Sequence, residues 1–152
     1  MPKQLKNIDK KYMLNKELIQ RKINNIENYI KEIEPLLKLE AGDIVSDVLK
    51  LRTIERNFQL IVDTMLDINT HIISAENLKA PETLQETFLI LGEDGILPGD
   101  FVKKIAPVVG LRNIVVHDYE KIDNEKMMHD VKAGASQFGE YIVHIDNFLQ
   151  KM

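Results

Sequence analysis

The residues best suited to chemistry in this 152-residue chain stand together, at Leu111-Arg112-Asn113-Ile114-Val115-Val116-His117-Asp118-Tyr119. An arginine, an amide, a histidine and a phenol are gathered there in a segment otherwise largely apolar. Histidine titrates near neutrality and can take or give a proton, while arginine stays charged and grips phosphate oxygens with a bidentate fork. Cleavage of a phosphodiester by a neighbouring 2′-hydroxyl needs those functions: a base for the hydroxyl, an acid for the leaving oxygen, and positive charge on the phosphorane-like transition state. Arg112 and His117 supply both residue types, and the scheme requires no metal. The other histidines, His71, His129 and His144, have no paired carboxylate at a familiar metal-site spacing, so no metal ligands are assigned.

The spacing raises a geometric problem. Five residues at about 100° each set Arg112 and His117 roughly 140° apart on an ideal helix, whereas Asn113 and His117, four apart, share a face. Either the helix ends or distorts before His117, or the long Arg112 side chain wraps round to the same phosphate. A single histidine also leaves the second proton-transfer role unfilled, and a two-fold dimer would fill it. An arginine and a histidine at this spacing also occur in helices that carry no site, so spacing alone does not assign a function.

The elements that must position these residues are helical. Ile19, Ile23, Ile26, Ile30, Ile33 and Leu37 alternate by fours and threes, predicting a first long helix that ends near Pro35. Leu51, Ile54, Phe58, Ile61, Met65, Ile68 and Ile72 predict a second, with Gly42-Asp43 or Ser46 at its start. Phe58, Met65 and Phe138 fall at core spacing. Asp43 and Asp47, four apart, would share a helix face and repel.

Ala80-Pro81-Glu82-Thr83 opens a short helix stopped at Gly92, and the turn from Gly95 to Asp100 opens another segment perturbed by Pro107. Val131, Ala135, Phe138, Ile142, Ile145 and Leu149 predict a third long helix, capped by Asp123-Asn124. His129 and His144 are expected at the surface or at helix ends. No sustained alternation of period two appears. The expected fold is all-α, an up-and-down bundle of three long helices and one or two short ones, with residues 1–13 as an N-terminal extension and 14–152 as one domain.

Composition narrows the setting. With 44% hydrophobic residues, 7 Gly and 5 Pro, the chain can bury a core. It has no cysteine, so disulfides, thiolate zinc sites and cysteine nucleophiles are excluded, and a cytoplasmic setting is expected. Neither a secretory leader nor a membrane span is expected. A net charge of −4 and a pI near 5.6 oppose a general nucleic-acid-coating protein, though not an enzyme contacting a few phosphates in a local basic pocket. Lys103 and Lys104 are candidates for such a pocket, or are simply solvated. Gly92, Gly95 and Gly99 lack the spacing of a nucleotide-binding loop, and no cofactor is expected.

The 111–119 stretch resembles the signature of HEPN-domain ribonucleases, an arginine followed by a polar residue and then a histidine. The tyrosine two residues after the histidine resembles the HepT branch, the toxin of HepT–MNT toxin–antitoxin pairs. Leu91-Gly92-Glu93-Asp94-Gly95-Ile96-Leu97-Pro98 resembles the family's turn before the motif, Val109-Gly110-Leu111 its lead-in, and Arg52-Thr53-Ile54-Glu55 with Gln59 and Asp63 its central helix. The similarity runs from about Leu14 to Phe148.

This resemblance implies a homodimeric HEPN-like helical bundle whose two motifs face a shared cleft, with metal-independent endoribonuclease activity on RNA. Arg112 and His117 would be catalytic, Asn113 would support them, and Tyr119 would be the residue that an MNT nucleotidyltransferase antitoxin modifies with AMP. Arg52, Glu55, Gln59 and Asp63 fall within about 80° of one another, opposite the core stripe. They are candidates for the dimer cleft or antitoxin surface, or for a solvated face with Arg52 paired to Glu55. The competing functional readings are a helical module that binds nucleotide, RNA or a partner without cutting, and a purely structural dimer.

Overall fold

The computed structural model describes residues 13–117 and 123–152, and there the chain forms an all-α up-and-down bundle. In chain order its helices are α1 (Lys16–Leu37), α2 (Ala41–Val45), α3 (Val48–Ala75), α4 (Glu86–Glu93), α5 (Gly99–Ile105), α6 (Val108–His117), α7 (Asn124–Ala135) and α8 (Phe138–Gln150). The 28 residues of α3 span about 42 Å and form the axis on which α1, α2, α4 and α6 pack.

Helix α1 starts at Asn15, whose side chain accepts from the Leu18 N–H and satisfies one of the first-turn donors. Its stripe of Ile19, Ile23, Ile26 and Ile33 is wholly buried against α3, as the spacing predicts. Four contacts fix the pairing as antiparallel. The Asn15 N–H donates to His71 Nε2 (2.9 Å), Lys22 pairs with Asp67 (3.4 Å), and the buried Asn57 amide donates to Tyr29 O and to Glu32 Oε2. Helix α1 ends two residues past Pro35, close to where the sequence places its end.

The start of α3 differs from expectation. Asp43 and Ser46 do not cap it; they belong to a separate short helix, which Ser46 closes by donating to Asp43 O (3.1 Å). The cap is Asp47, which accepts from the N–H groups of Leu49 and Lys50. The Lys50 backbone N–H, more than any other group, holds its carboxyl below the usual carboxylate range. Asp43 and Asp47 therefore lie on different elements, and the expected repulsion along one helix face does not arise.

Two turns share one construction. After α3, Leu78 N donates to Ile73 O and Asn77 N to Ser74 O; after α4, Ile96 N donates to Leu91 O and Gly95 N to Gly92 O. These are Schellman closures, and their pivots, Asn77 (φ 57°) and Gly95 (φ 79°), take the left-handed conformation. Gly92 does not stop α4, which continues to Glu93; it permits close approach instead, because a Cβ there would lie 2.7 Å from Val102 Cγ2.

The expected third long helix is two helices. Ser136 and Gln137 form a turn between α7 and α8, with Ser136 Oγ donating to Ala133 O (2.6 Å). Gly134, Ser136 and Gly139 are poor helix formers clustered there, yet the apolar stripe keeps its four-three spacing across the break. The 99–117 segment likewise divides, at Ala106-Pro107. Phe58, Met65 and Phe138 are in the core as expected, the two rings 5.7 Å apart.

His144 departs from expectation, lying within α8, half-buried, bonded to Glu140 (3.0 Å) and packed on the Phe101 ring, whereas His129 is exposed. No helix of the described residues is long and apolar enough to cross a membrane.

Candidate functional site

Helix α6 carries Arg112, Asn113 and His117, and two supports position it. Val108, Val109 and Val115 bury one side of it. On α7, Gly134 brings the neighbouring backbone so near that a Cβ would lie 3.2 Å from Val108 Cγ1 and 3.5 Å from the Phe58 ring. The helix runs unbroken from Val108 to His117, so of the two alternatives the one in which it ends or distorts before His117 is not found. On a continuous helix the positions of Arg112 and His117 therefore stay roughly 140° apart.

Arg112 turns toward α3. Its Nε donates to Asp63 Oδ1 (2.8 Å) and its Nη2 to Asp63 Oδ2 (3.3 Å), a side-on bidentate pair, while Nη1 donates to Asn113 Oδ1 (3.0 Å). Guanidinium has five N–H donors. Among the described residues three are engaged, which leaves one on each terminal nitrogen, an arrangement that can meet two oxygens of one phosphate. His117 is exposed at the last described position of α6, and among the described residues nothing hydrogen-bonds its ring. Tyr119 and Asp118 lie outside the described residues.

The polar stripe on α3 separates by partner. Arg52 pairs with Glu55 (2.5 Å), as its spacing predicts, and Gln59 accepts from Arg56 Nη1 (3.3 Å). Asp63, on the same stripe, reaches the motif at Arg112. That link joins positions 49 apart in sequence, and no local pattern announces it. Lys103 and Lys104 are both exposed on α5, and Lys104 also lines a largely apolar groove of about 440 Å³ beside α6, with Leu111, Ile114 and Asp130. Among the described residues no three His, Asp or Glu side chains gather as a metal site.

A second polar cluster, absent from the sequence reading, lies in the core. Tyr141 donates its hydroxyl to Asn69 Oδ1 (2.6 Å), with Met65 O at 3.2 Å; Asn69 Nδ2 donates to Thr87 Oγ1 (3.1 Å), which donates to Leu84 O (2.7 Å). Burial pushes the Tyr141 phenol well above its ordinary range. The signal for it was available: polar Asn69 and Tyr141 sit beside core-spaced residues on α3 and α8.

Comparison with known proteins places this chain in a family. The model of "Ribonuclease HepT-like" proteins matches residues 26–145. A tRNA nuclease HepT from Aphanizomenon flos-aquae is 30% identical over 132 residues, covering 87% of this chain and 90% of that protein. An mRNA nuclease HepT from Shewanella oneidensis is 25% identical over 126 residues, covering 83% and 94%. Among solved structures, a tri-AMPylated HEPN toxin from Shewanella oneidensis in complex with MNT antitoxin superposes with a TM-score of 0.77 at 25% identity, covering 88% of this chain and 99% of that one. With its matching fold and a family match over most of its length, the chain belongs to the HepT-like ribonucleases.

Proposed function

We propose that this protein is a toxin endoribonuclease that cuts RNA without a metal ion at a cleft between two copies of the chain. The carrying observation is Arg112, held by Asp63 and Asn113 with two donors left over among the described residues, on the same helix as the exposed His117. In this reading Arg112 is catalytic through contact with the scissile phosphate, whose developing charge it stabilises. His117 is catalytic through proton transfer, and Asn113 supports the site by holding Arg112. Because the two positions lie on different sides of one helix and each chain supplies one motif histidine, a second copy facing the first completes the acid–base pair. The exposed Ile114, on α6 between the two, suits such an interface.

The cognate inhibitor is an MNT nucleotidyltransferase that transfers AMP to Tyr119; the tri-AMPylated Shewanella toxin in complex with MNT antitoxin supports the partner and the modification, and the motif position alone supports Tyr119 as the acceptor. A bulky anion two residues from His117 would exclude RNA by charge and volume. The stripe of Arg52, Glu55, Gln59 and Asp63 borders the cleft, and the enzyme acts in the cytoplasm, where its substrate is found.

The test is incubation of purified protein with total RNA and a chelator. Cleavage that persists with chelator and disappears in His117→Ala is expected; binding without cleavage overturns the enzyme reading in favour of a binding module. Sedimentation at micromolar concentration is expected to show a dimer, and cleavage by a strictly monomeric protein overturns the shared cleft.

A further inference from the structure

We infer that Asp63 is a positioning residue that sets the Arg112 guanidinium for catalysis, an inference that rests on the ribonuclease reading above. Asp63 occupies the side-on edge of the guanidinium with both carboxylate oxygens, and Asn113 takes a third donor. The edge formed by the two terminal nitrogens is what remains for a phosphate, so the three contacts determine which way that edge faces. The support is rigid. Asp63 lies at the middle of α3, flanked by the buried Ile61, Val62 and Met65, on the helix that the rest of the bundle packs against.

The pair is bidentate, with side chains 21% and 36% exposed, a geometry that can also add to folding stability. That contribution is separate from orientation. The carboxylate also has an electrostatic cost, since it lies beside the place where a phosphate would bind and repels it. Asp63 therefore trades ground-state attraction for orientation. Losing it loosens the reacting geometry while strengthening the bare charge that RNA meets.

This opposition gives the test a signature that unfolding cannot imitate. With a mixed-sequence single-stranded RNA as substrate, Asp63→Asn is expected to lower kcat by about tenfold to a hundredfold, the cost of a misplaced group, while KM stays level or falls. Asp63→Glu, which keeps the carboxylate, is expected to recover part of kcat. In the free protein, the Arg112 Nε–H resonance, identified by its loss in Arg112→Ala, is expected to be protected from exchange in the native chain and unprotected in Asp63→Ala. An unchanged kcat in Asp63→Asn overturns the inference, as does equal Nε–H protection in Asp63→Ala, provided Arg112→Ala has lost activity. Should Arg112→Ala itself cleave normally, the assignment of Arg112 to catalysis falls first and the role of Asp63 falls with it.

Discussion

Asp63 and Asn69 stand six residues apart on α3 and do opposite things. Asn69 is fully buried, and its amide lies between Tyr141 and Thr87 in a relay that ends on the Leu84 carbonyl. Among the described residues no buried side-chain nitrogen or oxygen lacks a partner. Asp63 is partly exposed, and among the described residues the guanidinium it holds keeps donors to spare. In a low-dielectric interior an unmet polar group is costly, so polar groups there are spent on one another. At the surface water meets unspent donors, and they remain available for a ligand. The same helix thus carries a polar cluster that specifies the fold and another that can do chemistry.

The sharpest way to separate the two is at the motif. Arg112→Ala and His117→Ala are each expected to lower RNA cleavage by about 10²- to 10⁴-fold, with urea midpoints close to that of the native protein. A variant that unfolds in proportion to its lost activity would erase the distinction. Tyr141→Phe is the reciprocal experiment. It removes the donor that satisfies Asn69 Oδ1 and is expected to cost about 1–3 kcal/mol in urea unfolding, with cleavage by the remaining folded protein unchanged.

The smallest expected effect lies between these extremes, at half-buried His71. Its Nε2 accepts from the Asn15 N–H, which requires the neutral ring, and burial, with the Lys22 charge adding to it, lowers its pKa below 6.5. The unfolded chain therefore takes up a proton more readily. Stability is complete above about pH 6.5 and declines as the pH falls through that value toward the lower folded pKa. Melting curves between about pH 8 and pH 5.5 are expected to show this decline, and it should flatten in His71→Gln.

How far the sequence discloses each region follows from the kind of contact involved. The four-three stripes identify the interior faces of α1 and α3 because burial acts on every turn of a helix in the same way. They conceal the turn at Ser136-Gln137, since Val131, Ala135 and Phe138 keep the same spacing across it. They also conceal Asp47 as a cap, because Asp43 and Ser46 offer equally good local chemistry and the choice depends on α2 docking against α7. Arg112, Asn113 and His117 stand out by residue type, whereas Asp63 becomes part of the same cluster through a contact 49 residues away. Tyr119 stands out in sequence as well, and it lies outside the described residues.

The buried phenol of Tyr141 also makes the protein its own optical instrument. The chain has no tryptophan and four tyrosines, so its near-ultraviolet signal is dominated by phenol rings. Held by Asn69 in the core, with burial raising its pKa, Tyr141 is expected to show its phenolate absorbance when the bundle opens, so that alkaline titration would report unfolding. A tyrosine esterified by AMP has no phenolic proton to lose and stays silent at every pH. One absorbance titration can therefore follow both the integrity of the core and the modification state proposed for the motif.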